Sequence, residues 1–195
     1  MQRTIEIVAY DERWQEEFRD LATPLRKAMG ETARRIDHIG STSVPGLAAK
    51  DIIDIQITVP ELDAARIAAA ALLTPLGYTI REDITQDHVP PGGDNDPAQW
   101  RKLYFRPPGN LRPMHLHLRQ SGLPNQRYPL LFRDYLRAAP QAVEAYRQIK
   151  VALARLHPYD IDAYYDIKDP VCDLIIDAAE HWARETAYAP GPSDA

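Results

Sequence analysis

Three segments of this chain alternate apolar with polar residues, and together they leave few ways for it to fold. Ile53 to Val59 puts Ile53, Ile55, Ile57 and Val59 on one side of a strand and Asp54, Gln56 and Thr58 on the other. Arg101 to Arg106 sets Leu103 and Phe105 against Lys102, Tyr104 and Arg106. Pro113 to Arg119 sets Met114, Leu116 and Leu118 against His115, His117 and Arg119. If the three strands share a sheet, their apolar sides are buried together and their polar sides coincide. The common face then holds one carboxylate, two histidines, Lys102, Arg106 and Arg119. Such a locally cationic surface suits a small anionic ligand. For the basic residues alone, a solvated sheet face is the plain alternative.

The stretch from His38 to Ile57 adds chemistry to that face. Gly40 lets the backbone approach a ligand closely, and Ser41 with the amides of Thr42 and Ser43 can hydrogen-bond a phosphate. Asp54 follows inside the next apolar segment. A phosphate turn facing a carboxylate strand is the layout of a metal-dependent nucleotidyl transfer site, but such a site wants a second acid where Gln56 stands. Asp54, His115 and His117 are candidate catalytic and metal-binding residues. Alternate strand positions converge, and two imidazoles with one carboxylate suit zinc or manganese better than magnesium. Ser41 has no His-Asp relay nearby in sequence, which favours a phosphate-binding hydroxyl over a nucleophile. His38 is expected in a structural hydrogen bond, and His88 as a lid residue or a bystander.

The remaining pattern reads as mixed sheet and helix. Thr4 to Val8 is expected as a strand, followed by a helix N-capped by Asp11 with Trp14, Phe18, Leu21 and Leu25 on one face. Ala33 to Ile39 reads as a strand, Glu61 to Leu73 as a helix and Tyr78 to Arg81 as a short strand. Residues 82–98, rich in Pro, Gly and Asp, form a long loop of the kind that is often functional. From Tyr128 the pattern is helical to about Ala187, with breaks near Pro140 and at His157-Pro158. On this helical part Arg133, Lys150 and Lys168 are candidate phosphate contacts. Residues 1–187 are expected to form a single domain, and residues 188–195 a disordered tail.

Composition narrows the setting. A net charge of −5 argues against a general nucleic-acid binder. The first residues carry no secretory signal pattern, and no stretch is apolar enough to span a bilayer. The lone Cys172 forbids an internal disulfide and fits a reducing cytoplasm, so a cytoplasmic location is expected.

VAYDERWQEEF, HIGSTSVPGLAAKDIIDIQI, KLYFR, MHLHL, LLFRDYLRAAP and YYDIKDP, in this order, resemble the GrpB family from about Ile5 to about Ala183. The resemblance implies an α+β nucleotidyltransferase (polymerase-beta-like) fold: a mixed sheet with flanking helices and a C-terminal helical group. Gly40 and Ser41 then correspond to the superfamily turn and Asp54 to its first metal-binding acid. The resemblance also implies homology to the C-terminal extension of some dephospho-CoA kinases, where the domain is not itself the kinase. This chain departs from the pattern at Gln56, at the histidines of MHLHL and at Asp51, where a proline is expected.

Two functional classes follow. One is a transferase binding a nucleotide with a divalent metal (Mg, Mn or Zn), in which Lys102 and Arg106 offset transition-state charge. The other is a non-catalytic module that binds a nucleotide-like ligand or a partner protein, which Gln56 favours. A metal-dependent hydrolase built on Asp54, His115 and His117 lacks an evident general base.

Overall fold

The computed structural model describes residues 4–195, so the first three residues of the N-terminal stretch lie outside it. Its centre is a sheet of five strands: β1 (Arg35–Ile39), β2 (Ile53–Val59), β3 (Thr79–Ile80), β4 (Lys102–Arg106) and β5 (Met114–Gln120). The spatial order is β1-β2-β5-β4-β3, with β2 and β5 parallel and every other neighbouring pair antiparallel. This is an α+β architecture with a mixed sheet.

The register brings the alternating faces into line. Asp54 pairs with His115, Gln56 with His117 and Thr58 with Arg119, while Lys102 and Tyr104 lie opposite Arg119 and His117. The isoleucines of β2 with Phe105, Leu116 and Leu118 form the opposite face. That apolar face is buried under α1 (Arg13–Met29) and α2 (Leu62–Leu73), through Trp14, Phe18, Leu25, Leu62, Ala69 and Leu73. Area removed from water, at about 25 cal/mol per Å² of apolar surface, makes this layer the main source of stability.

The polar face is roofed by α3 (Pro124–Ala138), α4 (Pro140–Leu156) and α5 (Ile161–Thr186). These helices pack on one another through Leu131, Phe132, Leu136, Tyr146, Ile176 and Ala179, and they seat Val44 and Leu47 of the segment after β1. Among the described residues no helix is long and apolar enough to cross a membrane.

Several expectations are corrected. Thr4 to Val8 is not a strand. Val8 makes one isolated bridge to Ala49, and Ile5 N–H donates to the Pro158 carbonyl at 2.8 Å, so the segment follows the helices rather than the sheet. The helix at Tyr128 begins earlier, at Pro124, whose ring fits a first turn that needs no N–H. Asp11 lies just outside α1 but still accepts the Arg13 N–H at 2.9 Å. The closing residues, expected to be disordered, are strapped along the free edge of β1. Ser193 Oγ accepts from Ile36 N–H at 2.8 Å, Asp194 from His38 N–H at 2.9 Å, and Ala195 N–H donates to the Ile36 carbonyl at 3.0 Å. Pro and Gly in this tail suggest disorder by composition, but two polar side chains, Ser193 and Asp194, and one backbone N–H, of Ala195, match the open edge.

Candidate functional site

The cleft between the polar sheet face and the helical roof is built around one contact. Ile39, the last residue of β1, pairs with Asp54 on β2, so the turn that follows β1 begins beside the Asp54 carboxylate. Gly40 makes the approach possible. Its φ is +71°, and a Cβ there would lie 2.9 Å from Asp54 Cγ. Ser41–Ser43 then form a 3₁₀ turn. Thr42 and Ser43 are spent on the fold: Thr42 Oγ1 bonds His38 Nε2 at 3.0 Å, and Ser43 Oγ donates to the Gly40 carbonyl at 2.6 Å. Only Ser41 of the three turns its hydroxyl toward the cleft, where Lys150 Nζ donates to it at 2.9 Å.

Two chambers meet at this point. The first, about 310 Å³, is lined by Trp100, Tyr128, Phe132 and Tyr146 together with Asp87, Arg119 and Asn125. The second, about 230 Å³, is lined by Lys50, Lys150, Lys168, His115, Tyr164 and Tyr165. Ser41, Asp54, Tyr146 and Lys168 belong to both. One chamber is aromatic and the other cationic, with Asp54 at their junction. Burial at the base of the cleft pushes the Asp54 carboxyl pKa up, against the pull of the nearby His115, Lys50 and Arg119.

The histidines stand where their alternation put them, but they do not close on an ion. His117 Nε2 is 4.0 Å from Asp54 Oδ1, its Nδ1 is buried without a partner, and burial keeps its ring neutral by pulling its pKa well below the ordinary value. His115 Nδ1 is bonded to the Tyr104 hydroxyl. The two rings are 6.3 Å apart and tilted by 60°. Among the described residues no group of three or more His, Cys, Asp and Glu side chains could hold a metal ion. The expected triad of Asp54, His115 and His117 is therefore not preformed: Tyr104 engages His115 Nδ1, and the two imidazoles stand 6.3 Å apart.

Gln56 is the clearest departure from an acid-based site, and the structure gives it a role. Its Oε1 accepts from Arg119 Nη1 at 2.8 Å and its Nε2 donates to the Gln126 carbonyl at 3.0 Å. The amide meets both needs at once, which a carboxylate, an acceptor only, does not. The residue is fully buried and ties β2 to the first turn of α3.

The other candidates divide. Lys150 and Lys168 reach the cleft as expected. Lys102 is tied to Asp87 at 2.6 Å and lines neither chamber, and Arg106 is exposed at the sheet end opposite Thr79. Arg133 lines neither chamber: it is 3% exposed and donates to Asp134, Asp194 and the His38 carbonyl. Asp51, in place of the expected proline, accepts from Trp14 Nε1 at 2.7 Å and from Arg112, on the side away from the cleft.

Sequence reasoning missed Lys50, Tyr146, Tyr164, Tyr165, Asp87 and Asn125. The pair Tyr164-Tyr165 just before Lys168 was a usable signal, since i to i+3 and i+4 share a helix face. Lys50 Nζ lies 4.7 and 4.5 Å from those two ring centroids. Asp87 carried no signal. It lies in the irregular loop 82–98, yet it accepts from Lys102, from Arg119 at 2.7 and 2.9 Å, and from Asn125 at 3.2 Å. Although burial opposes it, Arg119 and Lys102 hold the Asp87 carboxyl well below the usual range. Its neighbour His88 bonds Asp173 of α5 at 3.0 Å.

With this geometry in place, comparison with known proteins is informative. The sequence model of the GrpB protein family matches residues 4–178. The chain belongs to the GrpB family. A crystal structure of conserved protein GrpB from Enterococcus faecalis superimposes with a TM-score of 0.68 at 30% identity, covering 91% of this chain and 99% of that one. UPF0157 protein YqkA of Bacillus subtilis is 35% identical over 189 residues, 97% of this GrpB chain and 51% of that protein. A protein named dephospho-CoA kinase from Mycolicibacterium paratuberculosis is 36% identical over 198 residues, 95% of this chain and 48% of the relative. The GrpB chain thus spans about half the length of these two curated relatives.

Proposed function

We propose that this GrpB-family chain binds a nucleotide or another phosphate-bearing small molecule in the cleft on the polar sheet face. The observation that carries the reading is the meeting of an aromatic and a lysine-lined chamber at Ser41 and Asp54. A base is matched by aromatic walls and a phosphate by ammonium groups and a hydroxyl. The acidic net charge of the whole chain makes this local excess of lysine a property of the site.

Of the two classes, the binding module is favoured over the nucleotidyltransferase. Two-metal phosphoryl transfer needs several carboxylates converging on the ions. Here Asp54 stands alone at the junction, Asp87 is consumed by Arg119 and Lys102, and Gln56 is locked by two hydrogen bonds. The donor set does not fit a resident metal pair, and no step is derived through one. The hydrolase reading falls with the same metal triad.

Calorimetry with ATP, GTP, CTP and UTP, with and without Mg²⁺ or Mn²⁺, tests the proposal. At least one is expected to bind, with Lys168→Met weakening it about tenfold or more. If a divalent ion strengthens binding, Asp54→Asn should remove that increment. Failure of all four to bind would sink the nucleotide reading, and nucleotidyl transfer by the unmodified protein would restore the enzyme class.

A further inference from the structure

The second chamber sets three amines, Lys50, Lys150 and Lys168, against one lining carboxyl, Asp54. Lys150 is 2% exposed, and its Nζ contacts Ser41 Oγ at 2.9 Å, the Ala48 carbonyl at 2.5 Å and the face of Tyr146 at 4.5 Å. Lys50 has the Tyr165 hydroxyl at 2.9 Å and two aromatic faces. Among the described residues the lysine ion pairs are Lys102–Asp87 and Lys168–Asp169, so neither Lys50 nor Lys150 has a carboxylate partner. Buried ammonium groups are ordinarily paired, because leaving water uncompensated costs several kcal/mol. A buried Lys150 and a half-buried Lys50, neither in an ion pair, point to an anion that arrives from outside.

Resting on the binding site proposed above, we infer that this chamber takes the phosphate chain of a nucleoside di- or triphosphate, and that Lys150 picks up a proton when the chain enters. Lys50 precedes β2, Lys150 is on α4 and Lys168 on α5, so the amines reach the chamber from three separate elements, and one phosphate group meets fewer of them than a chain of phosphates does. The chamber, about 230 Å³, has room for such a chain, whose successive phosphates can meet amines on different walls. Lys150 supplies the proton coupling. Burial pulls its pKa down to about 7, and Lys168 and Lys50 push the same way while Cys172 opposes. The other groups facing it, Tyr146 on its own helix and Tyr164 on α5, are neutral phenols with raised pKa values. An anion beside the amine stabilises the charged form. Binding therefore takes up close to one proton at pH 8 and almost none at pH 6, where Lys150 is already charged. By the same linkage, affinity weakens as pH rises above 7.

The test uses calorimetry in buffers of different ionisation enthalpy, with inorganic tripolyphosphate, inorganic phosphate and the four nucleoside triphosphates as probes. The unmodified chain should bind tripolyphosphate more tightly than phosphate, with proton uptake at pH 8 that fades by pH 6. Lys150→Arg keeps the charge and should retain affinity while losing the uptake. Lys50→Met should weaken binding about tenfold or more while keeping the uptake, which also shows that a folded site is being read. The inference is overturned if Lys150→Arg takes up as many protons as the unmodified chain, or if phosphate binds as tightly as tripolyphosphate. Tripolyphosphate binding as expected, with no nucleotide bound, would instead overturn the nucleotide reading and leave the anion chamber standing.

Discussion

At position 56 a single nitrogen separates this chain from an acid-bearing strand, and its surroundings show why the exchange is not neutral. Gln56→Glu would keep the bond from Arg119 but turn a second acceptor toward the Gln126 carbonyl. Losing a buried donor costs about 1–3 kcal/mol. We expect Gln56→Glu to lower the unfolding free energy from urea titration by that amount and to show no nucleotidyl transfer; a stable, active variant would contradict the binding-module reading. A second residue-scale expectation concerns acid. His38 is stacked on Phe18, with ring centroids 4.8 Å apart, and burial with Arg137 and Arg133 nearby pulls its pKa down to about 3. The unfolded chain takes a proton near pH 6.5, and the folded chain does not. Stability therefore falls as pH drops below 6.5, by up to about 1.4 kcal/mol per pH unit for each such group. His117 is held neutral in the same way, so His38→Gln should remove roughly half of the slope between pH 6.5 and 4 in urea unfolding. An unchanged slope would show that His38 is not one of the groups responsible.

Elements divide by how openly their sequence declares them. The strands β2, β4 and β5 were legible because alternation fixes which side of a strand meets the core, and the common polar face followed from that alone. Thr4 to Val8 alternates too, but pairing requires a straight neighbour, and Ala48 to Lys50 is irregular. Loop 82–98 was legible only as a loop. Its carboxylate at Asp87 reaches β4, β5 and α3 together, a convergence that depends on the path of the backbone and leaves no periodicity to read. Gly40, Ser41 and Asp54 were found by motif, whereas Lys50 and Tyr146 needed the helices to be placed first. Asp87→Asn should leave Arg119 and Lys102 without their shared carboxylate. The expected cost is about 3 kcal/mol, with faster amide exchange across residues 82–98 than elsewhere. Uniform protection in the variant would show that the loop is held by something else.

For the whole molecule, the sheet has one long open edge, at β1, and the chain covers it with its own last residues. Asp194 joins the buried Arg133 at 2.7 Å while also accepting from β1. Removing residues 189–195 should cost about 1–3 kcal/mol and leave β1 free to pair with another molecule. Light scattering on warming should show self-association of the truncated chain well before the full one, and identical behaviour would dismiss the strap.

The loop over the cleft is fastened at two adjacent residues to opposite walls. Asp87 is anchored to the sheet by several charged bonds, while His88 reaches α5 through a single contact from a side chain that is 56% exposed. Contacts as open as the second are worth at most about 1 kcal/mol. Were a ligand to enter the proposed aromatic chamber, the seam along α5 would part before the one at the sheet, like a door whose hinge is at the sheet.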